Sequence, residues 1–159
     1  WVDWTDAREN WALTDFVATL AQLRREHPVL RRRRFFLGDP SRGSESELGD
    51  IAWFTPAGDH MTEADWQVGY ARSLAVFLNG DAIAEPDVRG QAVSDGSFLM
   101  FFNGHHEDMD FTLPREVYGE RWEPVLDTAA PVVVDRPTSK AGDAVTLESR
   151  SILVLRRVV

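Results

Sequence analysis

Between Leu13 and Leu23 the apolar residues Leu13, Phe16, Val17, Leu20 and Leu23 recur at steps of three and four, which lines them along one face of a helix. The spacing predicts that helix from about Asn10 to Glu26. Asn10 is placed to accept free backbone amides as an N-cap, Arg24 and Arg25 suit the carbonyl end, and Pro28 forces His27 out of helical geometry. The stripe could rest on a following sheet or on a barrel outside the chain; the barrel is the expected partner.

After Phe36 the pattern changes. Leu37 to Gly49 is rich in Gly, Ser, Asp and Glu, the composition of an exposed linker. Beyond it come short apolar or alternating runs: Ile51 to Phe54, Leu74 to Leu78, Phe98 to Phe102, Met109 to Leu113, Trp122 to Leu126, Pro131 to Val134, Ala144 to Leu147 and Ile152 to Leu155. Turn residues separate them, among them Asn79-Gly80-Asp81, Asp95-Gly96, Asn103-Gly104 and Gly142-Asp143. Strands at this spacing predict a mainly β fold, an antiparallel β-sandwich of Greek-key type preceded by the amphipathic helix. Three parts are expected: residues 1–36, a linker at 37–49, and the sandwich at 50–159. Thr62 and Asp65 can cap a short helix leading into Trp66.

Composition narrows the function classes. A net charge of -9 argues against docking on nucleic acid phosphates. No apolar run approaches the roughly 18 residues of a membrane-spanning helix, and residues 1–10 are too polar for a signal-peptide core, so no membrane partner is expected. The chain has no cysteine. That removes disulfides and thiolate metal sites and suits a reducing, cytoplasmic setting. Lys140 is the only lysine among 17 basic residues, which reads as nucleotide bias rather than function.

Several motifs follow one another in order: Trp1-Val2-Asp3-Trp4, LRREHPVLRRRRFF from Leu23, DIAWFTPAGDHMTEADW from Asp50, LAVFLNGD from Leu74 and FLMFFNGHHEDMDFTLP from Phe98. Together they resemble the C-terminal part of bacterial glycogen debranching enzymes, isoamylase-type glycoside hydrolases of the alpha-amylase superfamily. The stretch from Asp50 to Trp66 is the most specific, since related branching enzymes are not expected to carry it. The resemblance implies that residues 1–36 are the end of a (β/α)8 catalytic barrel, with the predicted helix as its last. It also implies that the nucleophilic aspartate, the acid/base glutamate and a second aspartate lie upstream. With Trp1 in place of an initiator methionine, the chain is expected to be the tail of a larger enzyme. The implied activity is hydrolysis of α-1,6 branch linkages in glycogen by retaining double displacement, without metal or cofactor. The implied partners are the barrel and, through the intact enzyme, glycogen or branched maltooligosaccharides. The fragment itself would be structural or accessory.

The residues themselves agree with an inert fragment. Retaining glycosidases need two carboxyl groups about 5 to 5.5 Å apart with one pKa raised, and Glu45 with Glu47, Glu85 with Asp87, and Glu107 with Asp108 and Asp110 read as solvated surface. His105-His106-Glu107-Asp108 offers metal ligands, but adjacent histidines in an extended segment point to opposite faces, so a polar hairpin loop is the expected reading. Arg31 to Arg34 are expected to pair with carboxylates; a partner for them would be the barrel or another copy in a homo-oligomer. Of the six tryptophans, Trp53, Trp66 and Trp122 are expected in the core and Trp11 flanks the helical stripe. Trp1 and Trp4 are the substrate-binding candidates, because the resemblance places them after the last barrel strand, on the side where barrel enzymes carry their active sites. Two alternatives stand beside this reading: a glucan-binding β-sandwich module, or the tail of a sister enzyme such as a trehalose-releasing hydrolase or a branching enzyme.

Overall fold

The computed structural model describes residues 1, 3–38, 48–69, 71–130 and 137–158. Two helices open the chain, α1 (Trp4–Glu9) and α2 (Trp11–Glu26). Asp3 caps α1, its carboxylate accepting the Thr5 amide at 2.8 Å. Asn10 does not cap α2 as expected, because it already closes α1: its Nδ2 donates to the Asp6 carbonyl. The predicted stop holds, with His27 extended and Pro28 starting a single 3-10 turn.

The strands are β1 (Ile51–Phe54), β2 (Ser73–Leu78), β3 (Phe98–Asn103), β4 (Met109–Thr112), β5 (Arg121–Asp127), β6 (Ser139–Lys140), β7 (Ala144–Leu147) and β8 (Ser151–Arg157); a one-turn helix, α3 (Glu63–Trp66), lies between β1 and β2. Six strands form an antiparallel sheet in the order β1-β2-β3-β8-β5-β6, and β4 pairs with β7 in a second sheet. The chain crosses between sheets after β3, β4, β6 and β7, and β8 returns to lie between β3 and β5, the non-sequential placement of a Greek-key sandwich. The strand expected at Pro131 to Val134, and most of the linker, lie outside the described residues. The loop between β3 and β4 is not a hairpin, since those strands belong to different sheets.

Both faces of the large sheet are covered, so β2 and β3 read as continuous apolar runs instead of alternating. Between the sheets lie Phe54, Phe77, Leu99, Phe101, Phe111, Trp122, Leu147 and Leu155, all buried. On the opposite face Val76, Leu78, Phe98, Leu126 and Val154 form a second cluster, and Phe16, Leu20 and Leu23 of α2 pack on it. The helix expected against a barrel therefore lays part of its stripe on the sheet, while Leu13 and Val17 stay exposed. Asp95 anchors its C-terminal end, binding His27 Nδ1 at 2.8 Å and the Val29 amide at 3.1 Å, with the His27 ring edge-on to Phe98.

Candidate functional site

The most distinctive stretch of the sequence, residues 50–66, folds into a device that holds two indoles together. After β1 the chain reverses tightly: Thr55 N–H donates to the Asp59 carbonyl at 2.8 Å, Gly58 N–H to Thr55 at 3.0 Å, and Met61 N–H to Trp53 at 2.9 Å. Gly58 sits at φ +83°, and a Cβ there would lie 2.9 Å from the Thr112 carbonyl oxygen, so the turn requires glycine. Helix α3 starts at once behind a capping box, in which the Asp65 amide donates to the Thr62 hydroxyl and the Thr62 amide to the Asp65 carboxylate. Trp53 and Trp66 are thereby brought edge to face, ring centroids 5.3 Å apart and planes at 76°.

These indoles are not core residues, as the sequence suggested; Trp53 is 37% and Trp66 48% exposed. The reason is local. β1 is an edge strand, and α3 is one turn whose other residues, Glu63, Ala64 and Asp65, supply no apolar stripe. Trp122 behaves as expected, fully buried with its indole N–H donating to the Gly119 carbonyl. Trp1 is fully exposed, Trp4 is 70% exposed at the start of α1, and Trp11 is exposed at the start of α2. The structure brings Trp53 to Trp66; among the described residues Trp1 and Trp4 join no aromatic pair.

The arginine run does pair with carboxylates, at one position. The Arg32 side chain is buried, with Nη1 3.0 Å from Asp50 Oδ2, Nε 3.6 Å from Glu85 Oε2, and the guanidinium over the Phe36 ring. Asp50 also accepts the Leu37 and Gly38 amides, and Glu85 accepts those of Arg33 and Arg34. Glu85 is thus part of a buried cluster rather than solvated surface. Its burial raises the pKa, but the Arg34 amide, the Arg32 charge and the Arg33 amide outweigh it, leaving the carboxyl below its ordinary 4.5. A carboxylate held ionised in this way lacks the raised pKa of a general acid. A folded pKa below the unfolded one stabilises the fold above about 4.5 and loses that contribution as pH falls through the folded value. The expected result in urea unfolding is that Glu85→Gln is less stable than wild type at neutral pH and that the gap closes below pH 4.5; a gap independent of pH would contradict it.

His105 and His106 do not point to opposite faces. Asn103 Oδ1 accepts the His105 amide at 3.0 Å, which ends the extended segment in a side-chain turn and stacks the two imidazoles 4.3 Å apart. With Glu107 they place metal-ligand atoms within 4.8 Å of one another. His105 Nδ1 already accepts the Glu107 amide and Asp108 accepts the Ser149 amide, so these side chains serve the turn.

Three comparisons bear on this geometry. Residues 50–156 match the family described as isoamylase, C-terminal. A "Glycogen operon protein GlgX homolog" of Mycobacterium tuberculosis is 45% identical over 159 residues, covering 100% of this chain and 22% of the relative. An isoamylase of Flavobacterium sp is 24% identical over 164 residues, covering 98% of the chain and 20% of the relative. The chain thus spans about a fifth of the length of these curated relatives. Among solved structures, a pullulanase from Bacillus acidopullulyticus superposes with a TM-score of 0.57 over 98% of this chain and 15% of that one, at 14% identity, a likeness of fold. The family match starts at Asp50, the residue that holds Arg32, and ends within β8, at Arg156. The chain belongs to the isoamylase C-terminal family.

Proposed function

We propose that this chain is the C-terminal part of a cytoplasmic glycogen debranching enzyme that hydrolyses the α-1,6 branch linkages of glycogen-type glucans. The observation that carries the reading is the 45% identity to the GlgX homolog, which runs through all 159 residues. In this reading the catalytic carboxylates belong to a (β/α)8 barrel elsewhere in the protein, and the sandwich is structural and accessory. The exposed Leu13 and Val17 edge of α2 supports contact with that barrel, because it is apolar surface beside a stripe already half used by the sheet. Trp1 and Trp4 are proposed to contact glucan, since flat exposed indoles stack on the C–H faces of pyranose rings.

The test is an assay of the intact enzyme on glycogen and on linear maltoheptaose. Release of linear maltooligosaccharides from branch points, with maltoheptaose untouched, is the expected result, and the 159-residue chain alone is expected to be inactive. Release of trehalose, or formation of new branches, would replace the reading with one of the sister activities.

A further inference from the structure

We propose that Trp53 and Trp66 form a surface binding corner for an α-1,4-linked glucan chain, separate from Trp1 and Trp4. The proposal rests on the debranching reading only for the identity of the glucan.

A glycine-dependent reversal, a capping box and a backbone bond from Met61 to Trp53 all serve to fix the two rings at 76° to each other, yet leave both at the surface. Burial does not explain them, because neither ring joins the core between the sheets. At 37% and 48% exposure, the two indoles present on the order of 200 Å² of apolar surface. A stable protein interface needs about 800 Å² from each partner. The patch is therefore too small to dock a protein on its own and suits one or two glucosyl rings.

Polar residues flank the pair along the chain. Asp59, Glu63 and Gln67 are all exposed and polar, and the Gln67 amide reaches the Glu63 carboxylate at 3.3 Å. An apolar pair flanked along the chain by exposed donors and acceptors complements a neutral polyol, whose ring faces are apolar and whose rim is hydroxyl. In a chain of net charge -9 a polyanion is disfavoured at the same place. Two rings at an angle, unlike two coplanar ones, follow the curvature of an α-linked chain: one indole takes a glucosyl face while the edge of the other meets its neighbour.

The test uses the intact enzyme labelled with 5-fluorotryptophan, with Trp53→Phe and Trp66→Phe assigning the two fluorine signals. Titration with maltoheptaose is expected to move both signals saturably, and cellohexaose is expected to leave them in place. In kinetics, Trp66→Ala should raise the apparent KM for glycogen roughly fivefold to tenfold, the loss of one stacking contact. A short branched maltooligosaccharide serves beside it as the substrate that reports the debranching activity itself. Signals that stay fixed up to millimolar maltoheptaose would overturn the proposal and assign the pair to the fold or to a contact with the rest of the enzyme. The fluorine titration needs no variant beyond the assignment and no catalysis. Failure to cleave the short branched substrate would therefore count against the debranching reading, while the shifts still decide the corner.

Discussion

Arg32→Met is expected to destabilise the chain by about 3 to 5 kcal/mol, because it leaves two buried carboxylates without their shared cation. For a domain of this size that corresponds to roughly 10 °C in Tm. Among the described residues, Asp50 would keep the backbone amides of Leu37 and Gly38, and Glu85 those of Arg33 and Arg34. The attraction they lose is mainly Coulombic: Nε stands 3.6 Å from Glu85, beyond hydrogen-bond range, and neither Nε nor Nη1 makes a well-aligned bond. Lysine is a poor substitute, since one ammonium can neither reach both carboxylates as a planar fork does nor stack on Phe36. Neutralising all three in Arg32→Met/Asp50→Asn/Glu85→Gln should recover most of the loss, because a buried ion cluster replaced as a whole costs far less than one broken on one side. Urea midpoints of the single and triple variants measure this, and a single variant within about 1 kcal/mol of wild type would refute it.

The same cluster shows where sequence reading reaches its limit. Helix α2 and the described strands of four or more residues were legible because their signals are local: apolar periodicity, Pro28 as a stop, and paired turn residues such as Asn103-Gly104. The second face of the large sheet was half legible, since Phe98 to Phe102 is apolar throughout, but nothing local says that α2 covers it. The burial of Glu85 was not legible at all. An acidic residue in a polar stretch looks solvated until the fold brings a distant guanidinium to it. β6 escaped because two residues carry no period. For the candidate site, the capping box at Thr62 and Asp65 was readable, whereas the surface position of Trp53 and Trp66 was not. Large aromatics are core residues by default, and only the edge position of β1 and the brevity of α3 reverse that default here.

Asn103→Asp, a change of one atom type, is expected to cost about 4 kcal/mol, more than Asn103→Ala, because it buries a charge against three carbonyl oxygens. Asn103 is buried at the end of β3, and its Nδ2 donates to the carbonyls of Glu107 and Glu148 at 2.9 Å and of Leu147 at 3.3 Å. Its Oδ1 accepts the His105 amide at 3.0 Å and lies 3.3 Å from the Ser73 hydroxyl. One side chain therefore joins the start of β2, the loop after β3 and the turn after β7. Alanine deletes these bonds and leaves the carbonyls to find water. Aspartate instead sets an oxygen where Nδ2 stood, facing acceptors that repel it. Protonation relieves the conflict by restoring one donor, so the carboxyl of this variant should have a folded pKa above its unfolded one. Stability gained in that way is present at low pH and lost as pH rises through the folded value. The gap between Asn103→Asp and wild type should consequently narrow on acidification, the opposite sense to Glu85→Gln, and hydrogen exchange of the His105 and Glu107 amides should quicken at neutral pH. An aspartate variant no worse than alanine, or one whose deficit ignores pH, would show that the three carbonyls do not depend on this amide.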